Sequence, residues 1–166
     1  MRALFDLFLD ICLFRKGPQD VPVSAALLKV CVLAYALSSF VVLRLNTPTS
    51  IAIPQALLDL ALLTGLLYLV LSLRQCLQRF GQTLSALTGV GVLIALLVLP
   101  LMVWVIRQDP EGDTVLPSIL LLGLMGWSIA IMAHILRQAL NIPLWVGTLY
   151  TIAYTLISWI MTGWIG

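Results

Sequence analysis

The residue best placed to do chemistry is Asp59, which lies inside an apolar run of spanning length. The run covers 53–73 and reads IPQALLDLALLTGLLYLVLSL, where every residue is apolar or small except Gln55 and Asp59. At about 1.5 Å rise per residue, such a segment is long enough to cross a bilayer. A carboxylate at membrane depth costs roughly 3 kcal/mol on insertion scales, so it needs a partner. The chemistry open to it is a proton or cation site, or a polar anchor for a neighbouring helix. The structural alternatives are an interhelical ion pair, or a carboxylate capped by Gln55 and nearby hydroxyls. Arg44 closes the preceding apolar run at the same face, so an Arg44–Asp59 ion pair is the expected partnership. In that geometry Asp59 lies about 9 Å below the outer end of its span.

The other candidates carry weaker signals. His134 is the only histidine and stands beside Arg137 near the inner end of a later run. It is expected about 18 Å from Asp59 in depth, too far for a direct dyad, and reads with Arg137 as a polar interface. Asp109, Glu111 and Asp113 alternate in DPEGD. Oxygen ligands of this kind suit hard cations, but the rest of a calcium loop is missing. Cys12, Cys31 and Cys76 form no close-spaced pair and no zinc pattern, and are expected to be free. Small residues recur at helical spacing: Ser85 and Gly89, then Gly123, Gly126 and Ala130, then Gly147 and Thr151. Spacing of this sort lets helices approach closely, either within one bundle or against a partner.

Composition sets the class of molecule that must hold these residues. Of 166 residues, 61% are hydrophobic and only 10% charged, and the mean hydropathy is +1.10. A water-facing domain needs about 25% charged residues. The chain therefore reads as an integral membrane protein with almost no extramembrane domain. No phosphate loop, HExxH or paired-aspartate motif is present, and no serine has a base at matching depth. No enzyme activity, cofactor or metal is expected. A net charge of +2 gives no case for a nucleic-acid partner.

The expected fold is all-α, a single membrane domain over 1–166. Residues 1–16 form an amphipathic helix with Arg2, Asp6 and Asp10 in one stripe, lying at the membrane interface. Asp6 and Asp10 interrupt the apolar run and no small-residue cleavage site follows it, so a signal peptide is not expected. Five spans follow, at about 24–45, 53–73, 83–106, 116–136 and 144–165, joined by short links that make consecutive helices antiparallel neighbours. With a cytoplasmic N-terminus, that side receives Arg2, Arg15, Lys16, Lys29, Arg74, Arg79 and Arg137, and the other side only Arg44 and Arg107. The positive-inside rule then places the N-terminus in and the C-terminus out.

This layout resembles the Yip1 domain family of small five-helix membrane proteins. The likeness rests on a proline-bearing entry, Gly17-Pro18-Gln19-Asp20-Val21-Pro22, before the first span. It rests also on Arg79-Phe80-Gly81-Gln82-Thr83-Leu84 with Ala86 and Leu87 leading into a third span with a late Pro100, and on a fourth span running from Trp127 to Arg137. The resemblance implies a helical bundle without known enzymatic chemistry. Eukaryotic relatives are associated with vesicle trafficking and small-GTPase partners, through a long cytosolic N-terminal region unlike the short entry here. The compact form is similar to bacterial members, which implies the inner membrane. The expected role is a non-enzymatic accessory subunit that binds another membrane protein or self-associates in the lipid bilayer. The alternative is a small oligomeric transporter or channel using Asp59, with Gly89, Gly91 and Pro100 as helix breaks.

Overall fold

The computed structural model describes residues 2–107 and 115–164. The acidic loop residues Asp109, Glu111 and Asp113 lie outside them. Six α-helices follow in order: α1 Arg2–Cys12, α2 Ala25–Arg44, α3 Thr49–Leu73, α4 Phe80–Arg107, α5 Val115–Leu140 and α6 Leu144–Gly163. Short 3-10 turns at Pro18–Asp20 and Leu77–Arg79 complete the described residues, which contain no strand. Helices α2 to α6 are each long and apolar enough to cross a membrane.

The helix ends follow from local chemistry. Ser24 caps α2 by accepting the Leu27 N–H at 3.3 Å. Pro48 and Pro143 immediately precede α3 and α6, because a fixed φ and a missing N–H suit a helix entry. Phe14, Gln75 and Asn141 adopt positive φ just past three helices. The next residue in each case donates its N–H five positions back, as in Cys76 to Leu71 and Ile142 to Arg137. This closes the last turn and satisfies carbonyls that would otherwise be orphaned.

Five helices form a ring. α2 packs on α3, α3 on α6, α6 on α5, α5 on α4, and α4 back on α2. The ring order therefore departs from the chain order, with α6 lying between α3 and α5. The N-terminal part of α4 is enclosed, with every residue from Thr83 to Val90 buried. Ser85, Ala86 and Gly89 keep that stretch slim enough for α1, α2 and α5 to close over it. The buried Thr83 and Thr88 hydroxyls donate to their own helix carbonyls, Arg79 at 2.8 Å and Leu84 at 2.7 Å. Their burial thus leaves no unmet donor. α4 runs unbroken from Phe80 to Arg107 through Gly89, Gly91 and Pro100, so these three residues are not breaks.

α1 lies against this enclosed end of the ring. It buries Leu7, Phe8, Ile11 and Cys12 on the protein and leaves Phe5 and Leu9 exposed. Asp10, from its charged stripe, pairs with Lys16 at 2.9 Å. Phe8 fills the space above Gly89, where a Cβ would come within 2.5 Å of the ring.

Candidate functional site

α3 begins at Thr49, four residues earlier than the 53–73 reading, because the Asn46-Thr47-Pro48 turn is tighter than expected. That extension puts Asp59 about 15 Å along the helix from its start, near the middle of a spanning length. There it faces hydroxyls. The Tyr35 hydroxyl on α2 donates to Oδ2 at 2.7 Å. Tyr154 and Ser158, one turn apart on α6, donate to Oδ1 at 2.8 and 2.9 Å. Gly91 on α4 makes the first of these contacts possible, since a Cβ there would meet the Tyr35 ring at 2.5 Å.

The Arg44–Asp59 ion pair is not formed. Arg44 is the last residue of α2 and donates to the Thr47 carbonyl at 3.3 Å. It caps its own turn, while Asp59 is held by hydroxyls of α2 and α6. Among the described residues the only ion pair is Lys16–Asp10. Three hydroxyl donors meet part of the carboxyl group's hydrogen-bonding capacity but bring no counter-charge.

A cleft of about 660 Å³ opens inside the ring, and Asp59, Tyr35, Tyr154 and Ser158 lie in its wall. Leu87, Val90, Ile94, Met132 and Ile135 supply much of its apolar lining from α4 and α5. The volume falls in the range of sites for small organic molecules, about 300–1,000 Å³, which are typically apolar with a few fixed polar groups. Gln55 also lines it, one helical turn before Asp59. Gln55 is only 7% exposed, and its Nε2 donates to the Thr162 carbonyl at 3.0 Å. That carbonyl requires a donor, which fixes the amide orientation and leaves the buried Oε1 without a partner.

The remaining expected residues divide by location. Ser85 and Gly89 face inward beneath α1, and Gly147 and Thr151 are buried on α6. Gly147 meets α5 so closely that a Cβ would lie 2.7 Å from the Ala133 carbonyl oxygen. Gly123, Gly126 and Ala130 are exposed on α5, with nothing within 4 Å of a Cβ built on either glycine. His134 approaches the Gln138 Nε2 at 2.9 Å and takes the Phe14 ring edge-on at 5.2 Å. Arg137 beside it is exposed. His134 and Asp59 are therefore not brought together. No three His, Cys, Asp or Glu side chains gather as a metal site among the described residues.

Tyr35, Tyr154, Ser158 and the cleft itself escape a reading by residue type, because tyrosine in an apolar run counts as apolar. The available signal was Tyr154 and Ser158 at i, i+4, a hydroxyl pair on one helix face. No protein-family model, curated protein or solved structure matches the chain.

Proposed function

We propose that this is a non-enzymatic membrane protein that binds a small, largely apolar ligand within the bilayer and moves it as a compact transporter. The supporting observation is the 660 Å³ cleft bearing an intramembrane carboxylate that has no basic partner among the described residues. The three hydroxyls match the capped structural alternative for Asp59, but they bring no counter-charge, and an unpaired charge at membrane depth is costly. In this reading α2 to α6 span the bacterial inner membrane with the N-terminus in the cytoplasm and the C-terminus in the periplasm. α1 rests at the cytoplasmic interface with Phe5 and Leu9 toward lipid. The five-span layout that resembles Yip1 proteins fits this architecture.

Photolabelling by an apolar aryl diazirine in lipid nanodiscs tests the reading. Saturable labelling is expected at cleft residues such as Ile94 and Met132, and Ala95→Trp should abolish it by filling the space. Labelling confined to outward residues such as Leu120 and Leu149 would remove the basis for a ligand site.

A second reading, an accessory subunit docking another membrane protein or a second copy, draws on the exposed Gly123, Gly126 and Ala130. Their open surroundings leave room for a close helix approach. Crosslinking from Gly126→Cys in native membranes should then yield a defined adduct. Its absence, together with a monomeric protein in mild detergent, would count against this role.

A further inference from the structure

We infer that the cleft takes a membrane-borne primary amine, with its ammonium held by Oδ2 of Asp59 and Oε1 of Gln55 and its apolar body against α4 and α5. This rests on the reading of the cleft as a ligand site and names the ligand class.

Apart from Ser39, every hydroxyl of the wall already donates, and the unfilled positions are acceptors. A carboxylate offers about four acceptor positions. Tyr35, Tyr154 and Ser158 fill three of them, two on Oδ1 and one on Oδ2. One position on Oδ2 remains. One turn away on the same helix, the buried Gln55 Oε1 has no partner at all. Residues four apart on a helix present neighbouring side chains, which puts Gln55 and Asp59 on one face of α3, and both residues line the cleft. The occupant must bring at least two N–H or O–H donors, and the negative charge selects a cation among such groups.

A primary ammonium has three donors on one point charge, which matches the two acceptors and completes the neutralisation that Arg44 does not supply. An anion is disfavoured, because no Lys, Arg or His lines the cleft. A bare metal ion is disfavoured, because its oxygen ligands would have to include hydroxyls already committed to Asp59. A plain lipid chain would fill the apolar wall but leave both acceptors empty. Tyr35, Tyr154 and Trp159 add aromatic rings to the lining, which favours an organic cation further.

Equilibrium binding of 1-naphthylmethylamine to the full chain in phosphatidylcholine nanodiscs tests the assignment. The neutral 1-naphthylmethanol and empty nanodiscs serve as controls. Saturable binding of the amine is expected, weakened at least about tenfold by Asp59→Asn, the loss of one charge-assisted hydrogen bond and its charge. Gln55→Met, which keeps the volume and the hydroxyl–carboxylate network, should weaken the amine several-fold and leave the alcohol unchanged. It also covers the case in which Asp59→Asn fails to fold. Equal affinity for amine and alcohol, indifferent to both variants, would overturn the cation assignment. It would leave the cleft as a site for neutral molecules. No saturable amine binding, while the diazirine still labels Ile94 and Met132, would likewise overturn this inference alone.

Discussion

Tyr35, Tyr154 and Ser158 give Asp59, inside the helix ring, the hydrogen bonds that water would give it at a surface. Hydrogen bonds to charged groups are each worth about 1.5–3 kcal/mol. Tyr154→Phe should therefore lower stability by about that amount in a detergent unfolding titration. Combined with Asp59→Asn it should cost less than the sum, because both variants break one contact. Arg44→Ala should change stability by no more than about 0.5 kcal/mol, as for an exposed residue bonded to its own turn. A larger effect from Arg44→Ala than from Tyr154→Phe would reverse the assignment of partners. Cys12 offers a separate check. Burial pushes its thiol from the ordinary 9.0 up to about 11, so maleimide at pH 8 should spare Cys12. The raised value also makes burial of this thiol stabilising below about pH 9. That contribution is lost as the pH climbs from 9 towards 11, because the unfolded chain releases the proton first. The oddity of Asp59 is plain in the sequence, since one acid stands in 21 otherwise compatible positions. Its partners are not, because they lie 24, 95 and 99 residues away.

Among the helices, close approach and open surface separate glycines that look alike in sequence. A methyl group on Gly147 would press on backbone, the Ala133 carbonyl oxygen, which cannot yield as a side chain can. Gly147→Ala should cost about 1–3 kcal/mol by forcing α5 and α6 apart. Gly123→Ala and Gly126→Ala meet nothing and should be neutral or stabilising by up to about 1 kcal/mol, from helix propensity. Thermal unfolding in detergent ranks the three. Gln75→Gly should also stabilise, by about 1 kcal/mol, since Gln75 holds a positive φ that glycine adopts without cost. Spacing alone shows which residues are small and which share a helix face. It does not show which face meets a neighbour, and Ser85, Gly89 and Gly147 turn inward while Gly123, Gly126 and Ala130 turn out. The amphipathic pattern of α1 was equally legible, yet pattern alone cannot separate lipid from protein as the cover for Phe8 and Ile11. The starts of α3 and α4 each lie earlier than the hydropathy pattern implies, at Thr49 and Phe80, because a helix can run beyond its apolar stretch into polar residues.

At the scale of the molecule, five apolar helices and no strand among the described residues agree with the all-α expectation. Neighbour relations follow the chain for α2–α3, α4–α5 and α5–α6, as short links require. The α3–α6 and α2–α4 contacts that close the ring have no counterpart in local sequence, and the cleft exists only because of them. The proposed orientation predicts that alkaline phosphatase fused after Gly166 is active in the periplasm, whereas a fusion in the Arg74–Arg79 link is inactive. The reverse pattern would invert the topology.

The position of α6 between α3 and α5 has a consequence for biosynthesis. Asp59 leaves the ribosome long before Tyr154 and Ser158, which follow it by 95 and 99 residues. At about 5–20 residues per second, the carboxylate waits roughly 5–20 s with Tyr35 as its sole hydroxyl partner. During that interval α2 and α3 hold an under-satisfied acid, and in the proposed membrane setting the insertion machinery or a lipid headgroup would have to shield it. A helix made after α2 to α5 is thus the one that locks this earlier polar defect in place. A chain arrested before α6 should stay bound to membrane quality control until degraded.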